Sequence, residues 1–104
     1  MIKYFFNGNQ VTLLEDNSSL FIIMDVQIKL DKSNVTLTES KMLFIDVNIP
    51  FKYGNILKKG ICKINDKLFI CYAIAELKGS ISEYDENKVK EIYKEVVEVL
   101  NNVI

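Results

Sequence analysis

Two cysteines, Cys62 and Cys71, and three acids set within apolar runs, Asp25, Asp46 and Glu76, are the side chains of this sequence best suited to reaction chemistry. A thiol pair can exchange with other thiols, but two sulfurs lack the further ligands that zinc requires. Paired carboxylates can share acid and base work when burial raises one pKa. Each acid has a simpler setting: Asp25 belongs to a polar alternating face, Asp46 is expected opposite a lysine, and Glu76 lies near a strand end within reach of Lys59.

What is missing narrows the chemistry further. Every one of the 13 basic residues is a lysine, and histidine, arginine and tryptophan are absent. No imidazole base is present to activate a serine or cysteine, and no guanidinium fork to grip phosphate or guanine. The formal charge of −1 supplies no global attraction to nucleic acid. Lys52, Lys58, Lys59, Lys63 and Lys67 fall on two adjacent expected hairpins and form the candidate anion contact. The glycines at 8, 54, 60 and 79 are scattered singly, so none belongs to a phosphate-cradling loop. We therefore expect no enzyme, no cofactor and no metal.

The elements that position these residues follow from a change of hydrophobic period near Gly79. Before it apolar residues alternate, and after it they recur at helical spacing. Asn7-Gly8 suits a type I′ turn joining Ile2–Phe6 to Gln10–Leu14, which places Tyr4 opposite Val11, Ile2 opposite Leu13 and Lys3 opposite Thr12. Beyond the polar break 16–19, Leu20–Leu30 puts Ile22, Met24, Val26, Ile28 and Leu30 on one face. Asp31–Asn34 is expected to turn into a strand over Val35–Thr38. Met42–Tyr53 carries Leu43, Ile45, Val47, Ile49, Phe51 and Tyr53 inward, with Pro50 marking an edge or bulge. A turn at Gly54-Asn55 sets Asp46 opposite Lys63 and Val47 opposite Cys62.

Ile56–Ile64 and Leu68–Lys78 form the last hairpin, around Asn65-Asp66-Lys67. A loop at Asp66-Lys67 opposes the cysteines directly; a loop at Asn65-Asp66 leaves them diagonal on one face. Reduced core packing is the expected state of the pair. In the final strand Leu68, Ile70, Tyr72 and Ile74 line one face, and Phe69, Cys71, Ala73, Ala75 and Leu77 the other, so it belongs inside the sheet. Gly60, Cys62, Cys71, Ala73 and Ala75 form a shallow track for a helix. That helix occupies 80–104, capped by Ser80 or Ser82 with Glu83 or Asp85, and buries Val89, Ile92, Tyr93, Val96, Leu100 and Val103.

The fold expected is α+β: one domain over residues 1–104, with a curved antiparallel sheet in 1–78, about six or seven strands bent toward a partial barrel, and one C-terminal helix across it. This element order is shared by pleckstrin-homology-like domains, but their typical helix tryptophan is missing and no residue role is carried over. With 49% hydrophobic residues, no apolar stretch of bilayer length and no early signal segment, the expected setting is cytoplasmic, away from membranes. Surplus apolar sheet surface without reaction chemistry points to a protein-binding module, an adaptor, assembly factor or inhibitor of another protein, that self-associates as a homo-oligomer, with Leu68, Ile70, Tyr72 and Ile74 as the candidate interaction surface. The alternatives are a carrier of a small apolar ligand between sheet and helix, and an anion or nucleic-acid binder using the lysines, the nucleic acid being disfavoured by charge. An arginine-free chain of this size fits a phage or mobile-element origin.

Overall fold

A computed structural model describes residues 1–30, 37 and 41–102. Among them six strands form one antiparallel sheet: β1 (Ile2–Phe6), β2 (Asn9–Asp16), β3 (Ser19–Lys29), β4 (Met42–Phe51), β5 (Gly54–Ile64) and β6 (Lys67–Leu77). The spatial order is β1-β2-β3-β6-β5-β4, so the sheet is curved but open, with β1 and β4 at its margins. The strand expected at Val35–Thr38 and the preceding turn lie outside the described residues, apart from half-buried Leu37.

The first hairpin has the expected register, Ile2 to Leu13, Lys3 to Thr12 and Tyr4 to Val11. Positive φ at Asn7 (53°) and Gly8 (80°) makes the type I′ turn that joins it. The polar break before β3 is a second tight turn, Asn17-Ser18, again with both φ values positive. Along β3, Ile22, Met24, Val26 and Ile28 are buried while Asp25, Gln27 and Lys29 are exposed, as strict alternation requires.

The β4–β5 turn falls at Lys52-Tyr53, not Gly54-Asn55, because Gly54 is a ladder residue pairing with both Phe51 and Leu77. Asp46 therefore faces Lys58, not Lys63, and Met42, not Val47, faces Cys62. Val47, Ile49, Phe51 and Tyr53 pack on the core as expected, but Leu43 is exposed.

Two lines of bulges curve the sheet. Between the levels of Tyr72 and Ile70, β5 advances only from Gly60 to Ile61 while β3 advances from Asp25 to Ile28. A second line has the opposite sense: β6 steps from Ala75 to Ile74 while β5 goes from Ile56 to Lys58 and β4 from Asp46 to Ile49. Neighbouring strands of unequal length over the same span must bend, and each extra residue also inverts which face the following residues take. This corrects the expected surface of Leu68, Ile70, Tyr72 and Ile74. The bulge at Cys71 turns Ile70 into the core at 0% exposure, opposite buried Ile61, while Tyr72 and Ile74 stay half-buried on the other face. The small-residue track is likewise divided. Ala73 and Ala75 lie in the core, whereas Gly60 and Cys62 share the helix-free face with Tyr72.

β6 is interior, between β3 and β5. The helix α1 spans Glu86–Asn102 and buries Val89, Ile92, Tyr93, Val96 and Leu100; Val103 lies outside the described residues. The Ser80/Glu83 capping box closes a single 3-10 turn at Ile81–Glu83 instead of the helix. Asp85 caps α1, its carboxylate accepting from the Lys88 amide at 2.8 Å. The Tyr84 hydroxyl donates to the Lys78 carbonyl and pins this connection. At the far side Asn9 donates to the Tyr93 hydroxyl at 2.9 Å and Phe6 packs on the Tyr93 ring, tying the first hairpin to the helix. No described helix is long and apolar enough to cross a membrane.

Candidate interaction surface

Cross-strand registers assemble the sheet face opposite α1 row by row. One row runs Asp25, Tyr72, Gly60, Phe44, and the next runs Thr12, Ile23, Ile74, Lys58, Asp46. The absence of a side chain at Gly60 shapes the first. Phe44 and Tyr72, two strands apart, meet across it edge to face, with ring centroids 5.6 Å apart. A Cβ at Gly60 would lie 2.6 Å from the Met42 sulfur and 3.0 Å from Tyr72 Cβ, so Met42 also occupies this notch. Phe44 is nevertheless 53% exposed, with Met42 and Ile64 at 38% and 39%. Alternation alone does not single out the β4 outward positions Met42 and Phe44; their signal is an apolar side chain at the outward positions of a marginal strand.

Beside this patch Cys62 and Cys71 are joined by a disulfide, with Cα atoms 6.1 Å apart. The loop is Asn65-Asp66, both with positive φ, so the pair is diagonal in the strict ladder, and the bulge at Cys71 brings it within bonding distance. The expectation of reduced core thiols is thereby corrected: both residues are half-buried on the helix-free face.

The three acids do not meet. Asp25 and Asp46 are three strands apart, roughly 14 Å. Asp46 pairs with Lys58 at 3.4 Å, and Glu76 is registered with Phe21 and Asn55, on the opposite face from Lys59. Glu76 borders an open polar cleft of about 330 Å³ with Asn48 and Asn55, whose side chains hydrogen-bond each other at 2.8 Å. Among the described residues no three metal-ligating side chains cluster. Burial, with Asp25 nearby, pushes the Tyr72 phenol up, against the opposing pull of Lys58.

The five lysines are not brought to one surface. Lys58 and Lys59 take opposite faces, Lys59 pairing with core Ala73. Lys63 bridges to Asp66 at 3.9 Å, Lys67 sits at the hairpin tip, and Lys52 reaches Glu91 on α1 at 3.7 Å.

That last contact belongs to a clasp between the β4–β5 turn and the helix. The Lys52 and Lys88 ammonium groups lie 5.3 and 5.2 Å from the Tyr53 ring centroid. A hydrogen bond from Tyr53, then the lysines, hold the Glu91 carboxyl below its ordinary range; the same bond to Glu91 raises Tyr53, and Tyr53 raises Lys52. A depressed carboxyl contributes stability above its unfolded pKa and loses it as pH falls through the folded value. A raised phenol or ammonium contributes below its unfolded pKa and loses it as pH climbs through the folded one. The clasp is thus expected to hold fully between roughly pH 5 and pH 9. Urea melts of wild type and Tyr53→Phe across pH should diverge most inside this window; equal pH profiles would show the clasp to be inert.

No protein-family model matches this chain, and no curated protein or solved structure matches it at a significant level.

Proposed function

We propose that this chain is a non-enzymatic protein-binding module, an adaptor, assembly factor or inhibitor of another protein, that also self-associates. Its docking surface is the helix-free face around Phe44 and Tyr72, reaching the outward side chains of the marginal strand β4. The observation that carries this reading is Phe44: a phenyl ring 53% exposed, in contact with Tyr72, flanked by exposed Met42 and Ile64. Large apolar side chains grouped on a rigid strand surface favour association, because covering each removes water from apolar area. Along Met42–Phe51 itself, Asp46, Pro50 and the bulge between Asp46 and Ile49 discourage strand addition, so the side chains of Phe44 and Met42, not backbone pairing, supply the contact.

Light-scattering mass at two concentrations, for wild type and Phe44→Asp, tests the proposal. Wild type is expected to rise above 12.0 kDa with concentration, and the variant to remain at 12.0 kDa with an unchanged circular dichroism spectrum. A wild-type mass of 12.0 kDa at both concentrations removes self-association. Equal masses for wild type and variant move any association to another surface.

A further inference from the structure

We propose that the Cys62–Cys71 disulfide is a reversible redox latch on the tip of the β5–β6 hairpin, exchanging with a low-molecular-weight thiol and loosening the tip when reduced. The inference rests on the ladder that the disulfide bridges. Gly54 to Leu77, Asn55 to Glu76 and Ile56 to Ala75 at the base, and Ile61 to Ile70 through Ile64 to Lys67 at the tip, all belong to one continuous register around the Asn65-Asp66 turn. Only the stretch between is displaced by one, Lys58 to Ile74, Lys59 to Ala73 and Gly60 to Tyr72, bounded by bulges at Leu57 and Cys71. The same hairpin, with the same turn, therefore has an unbulged ladder open to it.

In that ladder Cys71 would face Gly60, diagonal to Cys62, where Cα atoms stand about 7–8 Å apart, beyond the reach of a disulfide. With the bulge the separation is 6.1 Å. Oxidation thus requires the bulge at Cys71. The bulge in turn decides which face the tip presents, since it carries Ile70 and Ile61 into the core. Burial of those two side chains favours the bulged form without the bond, so reduction frees the tip to open without reversing it. The base of the sheet is held separately by Leu13, Ile22, Ala75, Ile56 and the helix.

Both cysteines are half-buried on the face that α1 leaves open, within reach of a small thiol. A thiolate RS⁻ attacks one Sγ, the S–S bond breaks, and the other Sγ leaves as a thiolate and takes a proton. A second RS⁻ displaces the protein sulfur from the mixed disulfide, giving RSSR and two protein thiols. Two electrons pass from the small thiols to the protein, and RSSR reverses the step.

Hydrogen exchange on the full chain, oxidised and after equilibration with reduced glutathione, tests the latch. Amides of Lys58–Cys71 should exchange at least about tenfold faster when reduced, while Leu13–Ile22 is unchanged; this is about half of what closing a loop of this size supplies. The double variant Cys62→Ala/Cys71→Ala should show the reduced pattern and no response to glutathione. Equal exchange in both states overturns the proposal, as does a bond that glutathione leaves intact in the folded protein. Loss of protection throughout the sheet also overturns it, because the bond is then a staple for the whole fold.

Discussion

Gly54→Ala should lower stability by about 3 kcal/mol and the melting temperature by roughly 15 °C. Gly54 is buried where β5 begins and pairs on both sides, with Phe51 and Leu77. A Cβ there would overlap the Glu76 carbonyl oxygen and lie 2.9 Å from the carbonyl carbon and 3.1 Å from Leu77 Cα. These are backbone atoms, so no rotamer change can relieve the overlap, and β5 must move away from β6 where their ladder begins. Gly8→Ala separates this from glycine's conformational role. Gly8 has φ +80° with nothing within 4 Å of an added Cβ, so only the left-handed backbone penalty applies, about 1 kcal/mol. Equal losses in thermal melts of the two variants would mean that close approach is not what selects glycine at position 54.

Ile70→Ala should destabilise by about 3 kcal/mol and Ile74→Ala by about 1 kcal/mol, although plain alternation puts both on one face. Ile70 is 0% exposed within the core cluster, whereas Ile74 is half-buried on the open face beside Ile23 and Lys58. Truncating Ile70 leaves a cavity that rigid strands on both sides fill poorly; truncating Ile74 leaves a dent that solvent fills. Denaturant midpoints at constant slope measure the difference directly. Equal losses would place both side chains in one environment and remove the bulge at Cys71 from the account.

These two positions also show where the sequence was informative. The first hairpin was legible to the residue because Asn7-Gly8 admits few turn geometries and β1 and β2 pair without a bulge. β3 was legible because its alternation runs unbroken from Leu20 to Ile28, and the helix because Val89, Ile92, Tyr93, Val96 and Leu100 keep one stripe. Gly54 was misread: its residue type signals a turn or a close backbone approach alike, and only the Glu76 carbonyl decides between them. The inversion at Cys71 was hidden because alternation is read along one strand, while a bulge answers to the path lengths of its neighbours. The same one-residue shift separated Lys58 from Lys59, divided the small-residue track and drew the cysteines together. Of the surface proposed here, Tyr72 and Ile74 were anticipated. Phe44 and Met42 were visible only as outward positions of a strand whose marginal place nothing but Pro50 suggested.

An unclosed sheet whose two borders differ has a further consequence. β1 and β4 stand at opposite limits of the strand order, one carrying exposed Ile2 and Phe5, the other Met42, Leu43 and Phe44. Two molecules joined like to like, β4 on β4, satisfy each other about a twofold axis and stop at a pair. Joined unlike, β1 on β4, they regenerate a vacant border at each end, and growth continues into a filament. Should the self-association proposed above run edge to edge, which border is the stickier would decide between a finite particle and an endless one, and substitutions at Phe5 would bear on it as directly as those at Phe44.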